Sequence, residues 1–334
     1  MPHDLEYLPD GSTAFASRRP AWHQLGTVTD RSMTAAEVIT TARLARWNVR
    51  KIPVIGRETT SAATIDVPAP DLAMTVRTNP VTGATDYLGV VSQSYQPVAN
   101  EDCAELLDLL IDASGGHFET AGSLRGGRRV FVTLKLPTGI TVAGFDHLDL
   151  YLALSTSHDG SSALRVDATP VRVVCSNTQT LSVKRSVGHY TFRHTTNVKS
   201  KIAQARQAIG ITYAYADAFT AEAERMLNTQ IGMDTFRAVC DELWPPPDPD
   251  APVRSVNNHR RRTTALEYLL TEAPTQEHIR STAYGAWQSV IEYLDFHAPA
   301  SSQDRRAERV LTSTTVARTK QKAHDLLTRT LPIH

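Results

Sequence analysis

The stretch "GGRRVFVTLKL", Gly126 to Leu136, decides how the rest of the chain is read. Successive side chains of an extended backbone alternate sides. Val130, Val132, Leu134 and Leu136 therefore line one face, and Arg129, Phe131, Thr133 and Lys135 line the other. The first face is what a core requires. The second interleaves cations with an aromatic ring, a mixture suited to single-stranded nucleic acid, where cations meet phosphates and rings stack on bases. The same alternation also describes the solvated face of an ordinary antiparallel strand.

Around this stretch lie three successive strand candidates. They are "FETAGSLRGGRRVFVTLKL", interrupted by Gly126-Gly127, then "LDLYLALSTSHDG", then "TPVRVVCSNTQTLSV". A long helix follows, "VKSKIAQARQAIGITYAYADAFTAEAERML", with a stripe of Ile202, Ala205, Ile209, Tyr213, Ala216, Thr220, Ala223 and Leu227. No helical crossover separates the strands, so the sheet is expected to be antiparallel and the class α+β, with a β-β-β-α core over about residues 117–230 flanked by helices. Upstream, Thr34 and Glu37 form a capping-box pair opening the helix "TAAEVITTARLARW". "WNVRKIPVI" reads as a strand, and "LAMTVRTNPVTGATDYLGVVS" as a hairpin turning at Asn79-Pro80 and Gly83. In "NEDCAELLDLLID", Asn100 is placed to cap a helix whose apolar positions are Ala104, Leu107, Leu110 and Ile111. Downstream, the prolines of "WPPPDPDAP", 244–252, stop any helix and act as a linker. The expected organisation is an α+β domain at 1–243 and a helical region at 253–334, its strongest helix being "TQEHIRSTAYGAWQSVIEYLDFHA".

Bulk properties narrow the function classes. A chain of 334 residues can bury a sizeable core, no apolar run is long enough for a membrane helix, and the first residues lack a signal peptide, so a cytoplasmic location is expected. Cys103, Cys175 and Cys240 are far apart and form no CxxC pair, which speaks against a disulfide framework or a structural zinc site. Thirty-five cations balance thirty-five carboxylates, so any attraction for nucleic acid must be local. It is local: Arg165, Arg172, Lys184, Arg185, Arg193, Lys199, Lys201 and Arg206 face only Asp167 in that interval, and "HRRR", His259 to Arg262, forms a second cluster.

The phrases "AWHQLG", "LGVVSQSYQPVANED", "ETAGSLRGGRRVFVTLKL", "SHDGSSALR", "PVRVVCSNT" and "AYGAWQSVIEYLDF" occur in an order that resembles the phage and plasmid-related family called domain of unknown function 932. The resemblance implies a mobile-element setting and no particular activity. The element order of the centre is also similar to that of Rad52-like single-strand annealing proteins, an analogy of fold with no shared phrase.

Together these readings point to a non-enzymatic protein, with no cofactor, that binds single-stranded DNA and anneals strands without ATP as a ring or filament. Arg128, Arg129, Lys135, Arg172, Lys184, Arg185, Lys199 and Lys201 are the phosphate-contacting candidates, and Phe131 and Tyr190 the stacking ones. An exonuclease or a single-strand-binding protein is the expected partner. The alternatives are a mobile-element or anti-defence protein that binds a host protein, and a cysteine-dependent hydrolase using His158, Cys175 and Asn177. Against the last, Cys175 alternates with Val171 and Val173 as a core residue does, and Asp159-Gly160 is a hairpin-turn pair. His117, His147, His158, His189 and His194 make no metal-ligand pattern, and "GSLRGGRR" has no nucleotide-loop spacing. Tyr284, Trp287, Tyr293 and Phe296 fall at helical spacing and are assigned to packing.

Overall fold

The computed structural model describes residues 6–18, 26–29, 31, 33–61, 63–172, 189–191, 198–300 and 314–329. The chain divides into two compact units, each built from separated segments. The first comprises Met1–Pro137, Leu152–Asp167 and His189–Gly210, and the second Thr138–Tyr151, Ala168–Gly188 and Ile211–His334. The mixed architecture with antiparallel sheets and a helical C-terminal region is the one expected.

The larger sheet takes β1 (Phe15–Ser17), β2 (Thr27–Val28), β6 (His117–Leu124), β7 (Arg129–Lys135), β9 (Asp146–Ser157), β10 (Arg165–Arg172) and β11 (His189–Thr191) in the order β11-β10-β9-β7-β6-β1-β2, and of β9 and β10 only Leu152–Ser157 and Arg165–Asp167 belong to the first unit. β1 pairs with β2 in parallel, an exception to the antiparallel expectation, and β6 with β1 and β7 antiparallel. The first strand candidate is therefore a hairpin. Arg125, Gly126 and Gly127 all have positive φ, which turns the chain between β6 and β7 and takes Arg128 out of the strand into the turn. On β7 the expected alternation holds: Val130, Val132 and Leu134 are buried, while Arg129, Phe131, Thr133 and Lys135 are half-buried.

A second sheet of the same unit joins β3 (Arg50–Thr59), β4 (Thr64–Thr78) and β5 (Thr85–Ser92). The β4–β5 hairpin turns where expected, with Asn79 Oδ1 accepting from the backbone N–H groups of Val81 and Thr82. β3 and β4 run on past the third strand as a two-stranded ribbon. Helix α1 (Ala35–Thr41) opens with the expected capping box, Thr34 Oγ1 accepting from Glu37 N–H at 3.3 Å and Glu37 Oε2 from Thr34 N–H at 2.9 Å. It ends early, because Arg43, Arg46 and Asn48 have positive φ. Helix α2 (Asn100–Ser114) is capped by Asp102, which accepts from Ala99 N–H, and not by Asn100. Leu107 and Leu110 of the expected stripe are buried, with Cys103 and Leu106 beside them, Ile111 is half-buried, and the side chain of Ala104 lies outside the described residues.

In the second unit, β8 (Ile140–Val142) pairs with residues 146–148 of β9. Helix α3 (Val198–Leu227) has the expected bounds and belongs to this unit from Ile211 on. There its buried stripe is Thr212, Tyr215, Ala216, Phe219, Ala223 and Met226, which keeps the predicted Ala216 and Ala223 and elsewhere falls one residue short of the predicted positions. Helices α4 (Met233–Leu243), α5 (Val253–Thr271), α6 (Ala283–Glu292) and α7 (Thr314–Arg329) follow. The proline segment separates α4 from α5 as expected. The predicted long helix after residue 274 is broken into a 3₁₀ turn (Pro274–Gln276), α6, and a π turn (Tyr293–His297). Ser281, with φ +56°, interrupts it, and Thr282 then caps α6 by accepting from Gly285 N–H at 2.9 Å.

Every residue of α6 is buried. Two of its polar side chains are paired within this unit: Ser289 donates to Gly285 O at 2.8 Å, and Glu292 accepts from Thr275 Oγ1 and Gln276 Nε2 at 2.9 and 2.8 Å. A buried ion pair, Lys320 Nζ to Asp295 at 2.6 and 2.9 Å, ties α7 to the π turn. Burial pulls the lysine below its ordinary pKa, and Asp295 opposes that shift. Among the described residues no helix is long and apolar enough to cross a membrane.

Candidate nucleic-acid interface

β7 places its candidates along one line. Arg129 and Lys135 mark its two ends, about 20 Å apart at ~3.3 Å per residue. Between them Phe131 lies against Phe15, ring centroids 6.3 Å apart, and Thr133 shares a 2.6 Å hydrogen bond with Thr120 of β6. Gly122 is Phe131's cross-strand partner, so no Cβ intervenes between the two phenyl rings. Arg129 spends part of its charge locally. Burial pushes the Asp159 carboxyl up, but hydrogen bonds from Ser161 and Ser157, with the charge of Arg129, outweigh it and hold the group below its ordinary pKa.

Arg128 departs from this line. From the turn it reaches the second sheet, its guanidinium 5.5 Å from the ring centre of Tyr87, in cation–π contact. Tyr190, on β11, is half-buried and its hydroxyl hydrogen-bonds Gln207 Oε1 at 3.3 Å. Arg172 and the pair Lys199 and Lys201 are placed on β10 and α3, with side chains outside the described residues, and Lys184 and Arg185 lie outside them altogether. The described structure thus brings Arg129, Phe131 and Lys135 onto one face and sends Arg128 elsewhere.

What fixes the turn is a buried polar group that sequence reasoning did not find. Arg77, fully buried on β4, donates from Nη1 to Glu6 Oε2 at 2.8 Å, from Nη2 to Glu6 Oε1, and from Nε and Nη2 to Asp86 Oδ2 at 3.1 and 3.0 Å. Asn79 Nδ2 adds a bond to the same Asp86 oxygen at 2.9 Å. The guanidinium lies 4.1 Å from the ring centre of Trp47. Gly127 packs directly on it, with φ +89°, and a Cβ there would collide with Nη1. Glu6 lies seventy-one residues from Arg77, and no local pattern signals such a pair.

The segment "SHDGS" belongs to this core. His158 is buried against Trp47, ring centroids 5.6 Å apart, and its Nε2 hydrogen-bonds Asn100 Oδ1 at 3.0 Å, while Asn100 Nδ2 donates to Leu44 O. His158 N–H donates to Arg128 O at 2.8 Å, so this loop fixes the backbone of the β6–β7 turn. Ser157 O accepts from Tyr95 Oη at 2.9 Å, and Gly89 leaves room for Asp159. Three of the phrases that carry the family resemblance therefore meet at one place, and they do so to pack. The imidazole of the hydrolase reading is a core residue, and Cys175 lies outside the described residues. Cys103 and Cys240 are buried, with burial pushing both thiols to about 12. Among the described residues no group of three His, Cys, Asp or Glu side chains is arranged to hold a metal ion.

Burial, then the charge of Arg77, lowers His158 to about 4 from an ordinary 6.5. With Nε2–H donating to Asn100, the second proton would go on Nδ1, which has no hydrogen-bond partner among the described residues. In the unfolded chain the imidazole takes up its proton near pH 6.5, in the folded chain only near pH 4. Stability is therefore full above about pH 6.5 and falls as pH drops towards 4, by about 3 kcal/mol in all at ~1.4 kcal/mol per unit. Urea unfolding at pH 7 and pH 5 should show this loss, and His158→Gln should flatten it. An unchanged slope in the variant would assign the acid lability to other groups.

A family model described as "Domain of unknown function (DUF932)" matches residues 87–324. Neither the curated proteins nor the solved structures yield a match, so nothing supports the Rad52-like analogy.

Proposed function

Since the chain belongs to the DUF932 family, whose description assigns no activity, we propose from its own residues that it binds single-stranded DNA and promotes ATP-independent annealing in phage- or plasmid-type recombination. The observation that carries this reading is the outer row of β7, where half-exposed Arg129, Phe131 and Lys135 stand on a strand whose other face is buried. Cations for phosphates and a ring for bases on a fixed sheet are what a sequence-tolerant strand binder needs, and annealing requires no nucleotide site. In this reading the protein works as a ring or filament and hands strands on from an exonuclease or a single-strand-binding protein.

Fluorescence anisotropy with a labelled mixed-sequence single strand tests it, followed by annealing of the complement in the same sample. Affinity should fall steeply between low and moderate salt. The double variant Arg129→Glu/Lys135→Glu should bind about tenfold or more weakly, with the salt slope reduced by about two. Tight binding retained by that variant would remove β7 from the interface.

A second reading, an interaction protein that engages a host partner, is favoured by the β3–β4 ribbon. There Ile55, Ile65 and Val67 are exposed beyond the third strand. Pro68 and Pro70 lie along the same ribbon, and prolines discourage strand-to-strand addition, so a partner would meet side-chain faces and not an open edge.

A further inference from the structure

The outer face of the β3–β4–β5 sheet is apolar where alternation would make it polar. Register puts Arg50, Val76 and Tyr87 in one row across the three strands, and Ile52, Met74 and Val90 in the next. Leu72 and Ser92 begin a third. The opposite face, carrying Ala73, Thr75, Arg77 and Val91, is buried. On the outer face Tyr87 is 49% exposed, Val90 45% and Leu72 43%, with Ile52 and Met74 half-exposed beside them, while Val76, between Arg50 and Tyr87, is buried. Exposed apolar side chains grouped in this way on a sheet mark a binding surface.

Its charges indicate the occupant. Arg50 sits two strands from Tyr87, about 10 Å away at ~4.8 Å per strand, and its guanidinium is held by Thr78 and Thr85 hydroxyls at 3.4 and 3.1 Å. Arg128 approaches Tyr87 from beyond the third strand. Cations thus stand on both sides of the ring, and none of the residues in these rows is acidic. Asp86, the carboxylate next to Tyr87 in sequence, belongs to the opposite face, where Arg77 holds it. An aromatic ring on a half-exposed apolar sheet, bracketed by arginines that are fixed in place, complements a base flanked by its phosphates.

We propose that this face is a base-stacking platform for the single strand, with Tyr87 stacking a base and Arg50 and Arg128 contacting the neighbouring phosphates. The platform rests on the strand-binding reading above and adds to it a surface separate from the row on β7. It also gives the β6–β7 turn a role: Gly127 and His158 set the backbone from which Arg128 reaches the platform.

The test uses the full chain and the same labelled single strand. Tyr87→Leu should weaken binding about ten- to a hundredfold without changing the salt slope, whereas Tyr87→Trp should retain it. Arg50→Gln and Arg128→Gln should each lower the slope by about one. Thermal unfolding of each variant checks that the sheet is intact. Ultraviolet crosslinking of the unaltered protein to a bromodeoxyuridine strand, read by peptide mass spectrometry, should place an adduct on the peptide holding Tyr87, whatever the variants do.

Wild-type affinity in Tyr87→Leu, or equal losses in Tyr87→Leu and Tyr87→Trp, would overturn the platform. So would adducts confined to β7, a result that leaves the strand-binding reading standing. Absence of binding by the unaltered protein at low salt would remove both.

Discussion

Arg77→Met is expected to destabilise the first unit by about 3 kcal/mol, because it leaves the buried Glu6 and the half-buried Asp86 without their cation. Lysine should not rescue it, since one ammonium cannot reproduce a fork that bonds two carboxylates and lies on Trp47. Removing the charges together, as Glu6→Gln/Arg77→Met/Asp86→Asn, should restore much of the loss, because the cost of the single change is the uncompensated charge. Urea unfolding measures all three variants. A single-variant loss under about 1 kcal/mol would mean that water reaches the carboxylates and that the group does not hold the turn.

Trp287→Ala should cost a similar amount, about 3–5 kcal/mol, in the second unit. The indole is buried among Phe219, Tyr284 and His324, with ring centroids at 6.1, 6.0 and 5.2 Å, and its Nε1 donates to Lys320 O at 3.4 Å. α6 is enclosed on all sides, so the space vacated by the ring has little means of collapsing. Trp287→Phe keeps most of the apolar contact and should cost less than half as much. Thermal unfolding distinguishes the two, and equal losses would transfer the importance from the ring to the Nε1 hydrogen bond.

Elements whose signal is local were legible. The period-two pattern of β7, the Thr34–Glu37 capping box, the Asn79 turn and the bounds of α3 each arise from residues within a turn or two of one another, and each is found where the sequence puts it. Errors appear where a distant contact outweighs local preference. Asn100 has the chemistry of a cap, yet its side chain serves Leu44 and His158. The apolar spacing from Ile279 to Leu294 reads as one helix, yet Ser281 turns the chain so that Gly285, lacking a Cβ, can sit on the Ile279 carbonyl. "SHDGS" carried the residue types of a catalytic site, and packing made it a support for the β6–β7 turn.

The candidate interface divides in the same way. Alternation within β7 was enough to place Arg129, Phe131 and Lys135 on one face, because a strand's two sides are a property of its own backbone. Alternation says nothing of what stands beside that face. Arg128's departure to Tyr87, the alignment of Arg50 with Tyr87 across β4, and the joining of Glu6 to Arg77 required the register of separate strands and the closure of a seventy-one-residue span. The sequence by itself determined the class, the β4–β5 hairpin and the two faces of β7. Tertiary structure alone decided which faces became surfaces, since a side chain's periodicity is local while its burial depends on whatever the rest of the chain brings against it.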